Sequence, residues 1–278
     1  MYLSLKSHKT INIANDLTIT GASQAAMYTG FFLKEINTML DAGMHSHLSR
    51  NRLNRIFVSH THSDHCSCLP HIIDNGQKYK KDAVIHDIYV PEEGVKYVKN
   101  YVSSYFDLNW CRDAGVSHYR VLPAKSGIEF LTKGRKFIVE TYDLDHSVPT
   151  VGYGFCEIKR KLKKEFYGKN IGQLRKEGVD VYNEVKVYHF CYLCDTTAKI
   201  LENKEIYKYN VIMIECSYLN NEKLAKTNKH ISFHQLVPSI LKYPEKKFIL
   251  FHFSARYSAK EVSEHINQFN LSNVDFFI

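Results

Sequence analysis

The stretch IFVSHTHSDHCSCLP, residues 56–70, constrains this chain more than any other. An apolar run, Ile56, Phe57 and Val58, gives way at once to His60, His62, Asp64 and His65. Neutral imidazole and ionised carboxylate together suit zinc, and a dense group of them can hold two metals side by side. The run reads as a strand that delivers ligands at its end. Side chains alternate along an extended segment, so His60, His62 and Asp64 are expected to point the same way, with His65 following as the chain turns. A polar loop with incidental histidines is the alternative, but so many ligating groups at a strand end are costly to hold together without a ligand.

With 278 residues and 44% hydrophobic content, the chain can bury a sizeable core, and a single domain over residues 1–278 is expected. No apolar run is long enough to span a bilayer, and MYLSLKSHKT lacks the hydrophobic centre of a signal peptide, so the expectation is a cytoplasmic protein with no membrane partner. Seven cysteines without small-scaffold spacing point to reduced thiols. The formal charge of +8 favours a polyanionic partner such as nucleic acid, although lysine enrichment also follows genome composition.

His60-Thr61-His62-Ser63-Asp64-His65 resembles the HxHxDH signature of the metallo-β-lactamase superfamily, and further segments are similar to its tRNA 3′-end endonucleases, the RNase Z group. Met39-Leu40-Asp41-Ala42-Gly43 looks like that group's strand ending in Asp-x-Gly. His146-Ser147-Val148-Pro149-Thr150-Val151-Gly152-Tyr153 resembles His-x-Val-Pro-x-x-Gly-Tyr, and Cys194-Asp195-Thr196 resembles Gly-Asp-Thr. Glu215-Cys216-Ser217 corresponds to His-Glu-Ala-Thr, Lys229-His230-Ile231-Ser232 to His-Ser-Thr, and His252 to Tyr257 to His-x-Ser-x-Arg-Tyr.

The resemblance implies an α/β protein, an αβ/βα sandwich of two mixed β-sheets with helices on the outer faces and a site along one edge. It implies two zinc ions, or other divalent metals in their place. His60, His62 and His146 would hold one, Asp64, His65 and His252 the other, and Asp195 would bridge them. Asp41 would orient a ligating histidine from beneath. Glu215 and His230 would form a proton-transfer pair in which Glu215 orients the ring and His230 protonates the leaving oxygen. With Asp64 they make up the catalytic residues, and Arg256 is assigned to a phosphate or a nearby carboxylate. A hydroxide shared by the metals would attack phosphorus in line.

Two departures bear on substrate. Gly21-Ala22-Ser23 keeps part of the group's N-terminal turn, but QAAMYTG, residues 24–30, lacks the proline and basic residues that help sense a tRNA end. The arm that grips the tRNA elbow should fall at residues 159–184. There, KRKLKKEFYGKNIGQLRK is basic and aromatic but has no Gly-Pro-rich tip. It reads as a shortened arm in which Lys159, Arg160, Lys161, Lys163 and Lys164 meet RNA, with a solvated basic helix as the alternative. Trp110 is expected to pack in the core, and Cys191 and Cys194 form a coincidental CxxC, since a zinc ribbon needs a second pair. The reading is a zinc-dependent RNase Z-like endoribonuclease acting on tRNA precursors or other RNA; members of that group are commonly dimers, so a homodimer comes with it. A small-molecule metallohydrolase for β-lactams, cyclic nucleotides or sulfate esters is the rival. A non-catalytic RNA-binding descendant is a further one, against which the intact ligand set stands.

Overall fold

The computed structural model describes residues 9–14, 16–44, 53–77, 85–113, 115 and 118–278. In the first sheet β1 (Lys9–Ala14), β2 (Leu17–Gln24), β3 (Tyr28–Leu33) and β4 (Thr38–Leu40) pair antiparallel in turn. Then β5 (Arg55–Phe57), β6 (His86–Val90) and β7 (Tyr119–Pro123) extend it in parallel. The second sheet repeats the plan. Antiparallel β8 (Ile128–Thr132), β9 (Arg135–Leu144), β10 (Thr150–Leu162) and β11 (Tyr182–Leu193) are followed by parallel β12 (Val211–Glu215), β13 (Lys247–Phe251) and β14 (Val274–Phe276).

Parallel neighbours need crossovers, and most of the helices lie in them. These are α1 (Ser63–Cys66), α2 (Leu69–Gln77) and α3 (Val95–Trp110) in the first half. The second half has α4 (Ile171–Lys176) between β10 and β11, then α5 (Glu222–Thr227), α6 (Phe233–Lys242) and α7 (Ala259–Asn267). Strand composition follows layer position. Half-covered β2 alternates buried and part-exposed residues, whereas β12, VIMIE, lies between layers and is buried throughout. Phe31, Phe57, Tyr153, Phe155, Phe190 and Phe251 fill the space between the sheets. On the outer faces, Val98 and Val102 of α3 share a cluster with Ile56 and Ile88, and Leu236 of α6 and Val262 of α7 share one with Ile212 and Leu250. The result is the expected αβ/βα sandwich. No helix among the described residues is long and apolar enough to cross a membrane.

Some local expectations change. The short apolar runs of residues 1–42 read from the sequence as antiparallel strands, yet Thr38–Leu40 is antiparallel only on its β3 side, because β5 joins it in parallel. Trp110 is not in the core. The apolar stripe of α3 ends at Phe106, and the last turn runs into solvent with Leu108 75% and Trp110 60% exposed. Residues 83 and 84, expected to begin the strand at 83–90, lie outside the described residues.

Away from the site, β10 buries Glu157 between Arg135, whose Nε and Nη2 donate at 3.0 and 2.8 Å, and His189, whose Nε2 lies 2.8 Å away. Burial alone would raise the Glu157 pKa, but the hydrogen bonds from Arg135 and His189 outweigh it and lower the value to about 2. A depressed carboxylate contributes stability above its ordinary 4.5, and that contribution is lost as pH falls toward about 2. Glu157→Gln is therefore expected to flatten the acid side of the stability curve in urea melts over that window. Equal slopes for the two chains would refute the assignment.

Candidate metal centre

The strand ends on one edge of the sandwich bring the ligating side chains together. Asp41 follows β4, His60 and His62 follow β5, His146 follows β9, Asp195 follows β11, Glu215 ends β12, and His252 follows β13. Extension after β5 persists only to His62. Ser63–Cys66 is already helical, so Asp64 and His65 arrive from the turn of α1 and not from a continuing strand.

Two donor sets result. In the first, His62 Nδ1 lies 3.0 Å from His60 Nε2 and 3.3 Å from His146 Nε2. In the second, His65 Nε2 lies 3.3 Å from both His252 Nε2 and Asp64 Oδ2, and His252 Nε2 lies 3.4 Å from Asp64 Oδ2. Asp195 Oδ2 stands between them, 3.7 Å from His60 Nε2, 3.8 Å from His146 Nε2 and 3.7 Å from His65 Nε2.

The donors fit divalent cations. A tetrahedral ion with bonds of about 2.0–2.1 Å separates its ligand atoms by about 3.3 Å, close to the spacings within each set. Ring orientation agrees. Nδ1 is engaged outside the cluster at His60 (Ser59 Oγ, 3.0 Å), His65 (Asp41 Oδ2, 2.9 Å), His146 (Lys229 carbonyl, 3.1 Å) and His252 (Ser217 Oγ, 3.0 Å), which turns Nε2 inward. Burial lowers the pKa of His60, His62 and His146, in each case against the pull of Asp195. Neutral rings then aim lone pairs at one another, an arrangement a cation relieves. At His65, burial works against the charge but the carboxylates of Asp195 and Asp41 raise the pKa well above its ordinary value. Burial would raise the carboxyl groups of Asp64 and Asp195, yet the histidines around them hold both below the usual carboxylate range.

Asp41 lies beneath, buried, in the left-handed region at φ 52°. Its carboxylate accepts from Ser59 N–H at 2.6 Å, Ser59 Oγ at 2.9 Å and Tyr192 OH at 2.5 Å, besides facing His65. Cys194, where the resemblance expects glycine, places Sγ 3.5 Å from both Asp41 Oδ2 and His65 Nδ1. Burial pushes its pKa well up, so it stays a thiol. Its CxxC partner Cys191 points instead toward the Ile206 carbonyl, and all seven cysteines are free.

On the rim, Glu215 Oε1 lies 2.8 Å from His230 Nδ1 and also accepts Thr196 N–H at 3.1 Å. Burial disfavours charge on His230, but Glu215 outweighs it and lifts the pKa to about 9. Asp195, His230 and His252 also come close enough to form a further candidate group, as do His60, His65 and Cys194. The Lys229 carbonyl reaches His146 because Lys229 takes a left-handed turn at φ 54°, and its Nζ donates to Asp145 Oδ1 and the His146 carbonyl, both at 2.9 Å. The β2–β3 turn, where a basic loop was sought, instead sends Ala26 N–H to Asp64 Oδ2 at 2.9 Å. Arg256 lies over the Tyr218 ring at 5.1 Å and donates from Nε to Ser254 Oγ at 3.1 Å.

The basic segment is not one solvated helix: it opens as a strand, and only its far end, α4 (Ile171–Lys176), is a short helix with no buried residue. Lys159, Arg160 and Lys161 sit on β10, paired with Val185, Glu184 and Asn183 of β11 in a two-stranded ribbon beyond the pairing of β9 and β12. Arg160, Lys161 and Lys164 are exposed, Lys159 lies 3.5 Å from Glu157, and Lys163 Nζ donates to the Asp180 carbonyl at 2.6 Å.

Sequence reasoning passed over Ser59, Tyr192, Ser217 and Lys229. Ser217 was legible, two residues beyond Glu215 and so on its side of an extended segment. Tyr192 and Lys229 reach the site through the second sheet and a left-handed turn, which carry no local signature.

No protein-family model matches the chain. Over 258 residues it is 26% identical to tRNase Z TRZ1 of Arabidopsis thaliana, covering 90% of this chain and 89% of that one. Over 243 residues it is 29% identical to ribonuclease Z of Pyrococcus abyssi, covering 78% and 74%. The short form of human tRNase Z superposes with a TM-score of 0.58 at 16% identity, covering 93% and 95%, a likeness of fold. The chain has the metallo-β-lactamase fold and is similar in sequence to proteins of the RNase Z group. Together, the paired donor sets and the similarity to RNase Z proteins support a metal-dependent hydrolase.

Proposed function

We propose that the chain is a zinc-dependent phosphodiester hydrolase that cuts RNA with loose specificity. The observation that carries this is the Asp195 carboxylate, nearly equidistant from two imidazole sets, with the Glu215–His230 pair beside it. His60, His62 and His146 would hold one ion and Asp64, His65 and His252 the other, with the Asp195 carboxylate within reach of both sets. When bound, such a pair supplies Lewis acidity toward a phosphoryl oxygen and lowers the pKa of water to near ~7. The chain's own groups do the rest. Glu215 takes up His230 Nδ1, leaving Nε2 to donate a proton to the departing oxygen. Asp41 fixes the His65 ring through Nδ1. Arg256, engaged by Tyr218 and Ser254, presents its remaining N–H groups to a phosphate.

Loose specificity follows from the rim and the ribbon. The turn beside Asp64 carries Ala25, Ala26 and Met27 in place of basic residues, and the β10–β11 ribbon offers charge without a Gly-Pro tip. Affinity for RNA is then largely electrostatic and weakens steeply with salt. Replacing Lys159, Arg160, Lys161, Lys163 and Lys164 with Ala is expected to raise KM for RNA several-fold, with little change for bis-p-nitrophenyl phosphate. The deciding assay offers the zinc-loaded chain a 3′-extended pre-tRNA, unstructured RNA, bis-p-nitrophenyl phosphate and a chromogenic β-lactam side by side. Clean trimming of pre-tRNA with unstructured RNA untouched would overturn loose specificity. Turnover of the β-lactam alone would favour a small-molecule hydrolase.

A further inference from the structure

Each of the two buried carboxylates behind the donor sets reaches two histidines, one directly and one through a serine. Asp41 faces His65 Nδ1 at 2.9 Å and accepts Ser59 Oγ at 2.9 Å, while Ser59 Oγ lies 3.0 Å from His60 Nδ1. Glu215 faces His230 Nδ1 at 2.8 Å and accepts Ser217 Oγ at 2.8 Å, while Ser217 Oγ lies 3.0 Å from His252 Nδ1. Ser59, Ser217, Asp41 and Glu215 are all buried, as are the His60 and His252 rings, so solvent does not compete for these bonds.

We infer that Ser59 and Ser217 are positioning residues that lock His60 and His252 in the tautomer with the proton on Nδ1, so that Nε2 keeps its lone pair for the donor set. The argument is a count of protons. An ionised carboxylate only accepts, and a serine hydroxyl has one proton to give. Glu215 Oε2 takes that proton from Ser217, whose remaining lone pairs can then only accept from His252. The imidazole must be the donor at Nδ1, and a neutral ring carrying its proton there has none on Nε2. Asp195 Oδ1, 3.3 Å from His252 Nδ1, is also an acceptor and asks for the same tautomer. At Ser59 the same count holds, with Asp41 Oδ2 as the acceptor. His65 and His146 need no such intermediary, since Asp41 and the Lys229 carbonyl receive their Nδ1 directly. One carboxylate, Glu215, thereby sets both the proton donor His230 and, through Ser217, the His252 ring.

The inference rests on the reading of these sets as metal-holding, and its test separates the two. Long-range ¹H–¹⁵N spectra of the full-length chain, zinc-loaded and after chelation, report the tautomer of each assigned histidine. The expected result is Nδ1–H at His60 and His252 in both states; Nε2–H at either ring in the chelated chain would overturn the inference, whatever the chain does to RNA. In competition titrations against a chromophoric chelator, Ser217→Ala is expected to weaken zinc binding about 10- to 100-fold, with the loss confined to one of the two ions. Ser217→Thr, which keeps the hydroxyl, should retain the affinity. Unchanged affinity in Ser217→Ala, or equal losses in both variants, would also overturn it. If Ser217→Ala does not fold, the spectra of the unaltered chain decide alone. The expected tautomers in a chain inert toward RNA would support the inference while counting against the proposed substrate.

Discussion

His230→Ala is expected to lower kcat by on the order of 10²- to 10⁴-fold while leaving the zinc content unchanged. His230 Nδ1 is committed to Glu215 at 2.8 Å, and its ring is not among the histidines whose nitrogens make up the two close donor sets. The competing geometry is the grouping of His230 with Asp195 and His252. That grouping predicts something different, a loss of metal together with activity. Elemental analysis beside single-turnover kinetics separates the two, and parallel losses of zinc and rate would make His230 a ligand and remove it from the proton-transfer role. The effect should also be larger for substrates with a poor leaving group, because a proton donor matters most where the departing oxygen is most basic.

Gly43→Ala is expected to cost roughly 3 kcal/mol or more and to empty the Asp64–His65–His252 set preferentially. A Cβ at Gly43 would lie 1.6 Å from the Asp64 carbonyl oxygen and 2.2 Å from its carbon, and both are backbone atoms that cannot swing aside. The neighbouring contacts tighten the constraint. Gly43 N–H donates to the Thr29 carbonyl at 2.9 Å and Ala42 N–H to the His65 carbonyl at 2.7 Å, so neither the turn nor α1 can retreat without losing a hydrogen bond. Urea melts of the chelated chain read the stability loss free of metal, and zinc titration reads the second effect. A variant as stable as the parent, with both ions bound at parental affinity, would show that α1 yields at no cost.

Much of this arrangement was legible because the chemistry is dense and local. His60, His62, Asp64 and His65 fall within six residues, and the apolar run before them reads as a strand feeding an edge. The continuously apolar VIMI and FIL of β12 and β13 likewise announce strands covered on both faces. What escaped depends on partners distant in sequence. The turn into α1 at Ser63 cannot be told from continued extension by alternation alone, because two residues of either conformation satisfy the same pattern. The run at 159–162 carries the charge of a solvated helix, yet it is a strand because residues 182–185 are there to pair with it. Tyr192 reads as another aromatic in a buried strand, and only the packing of one sheet on the other aims its hydroxyl at Asp41.

The repeated plan of the two sheets has a consequence for when the centre can exist. The first half contributes Asp41, His60, His62, Asp64 and His65, and the second contributes His146, Asp195, Glu215, His230 and His252. Each candidate ion takes two donors from one half and one from the other, and Asp195 reaches across to both. A half-chain, or a chain whose sheets have not yet met, therefore offers any ion an incomplete set and correspondingly weak affinity. Competence for metal would then be a property of the seam, acquired at the moment of docking, and an ion seated there would hold the seam closed in return.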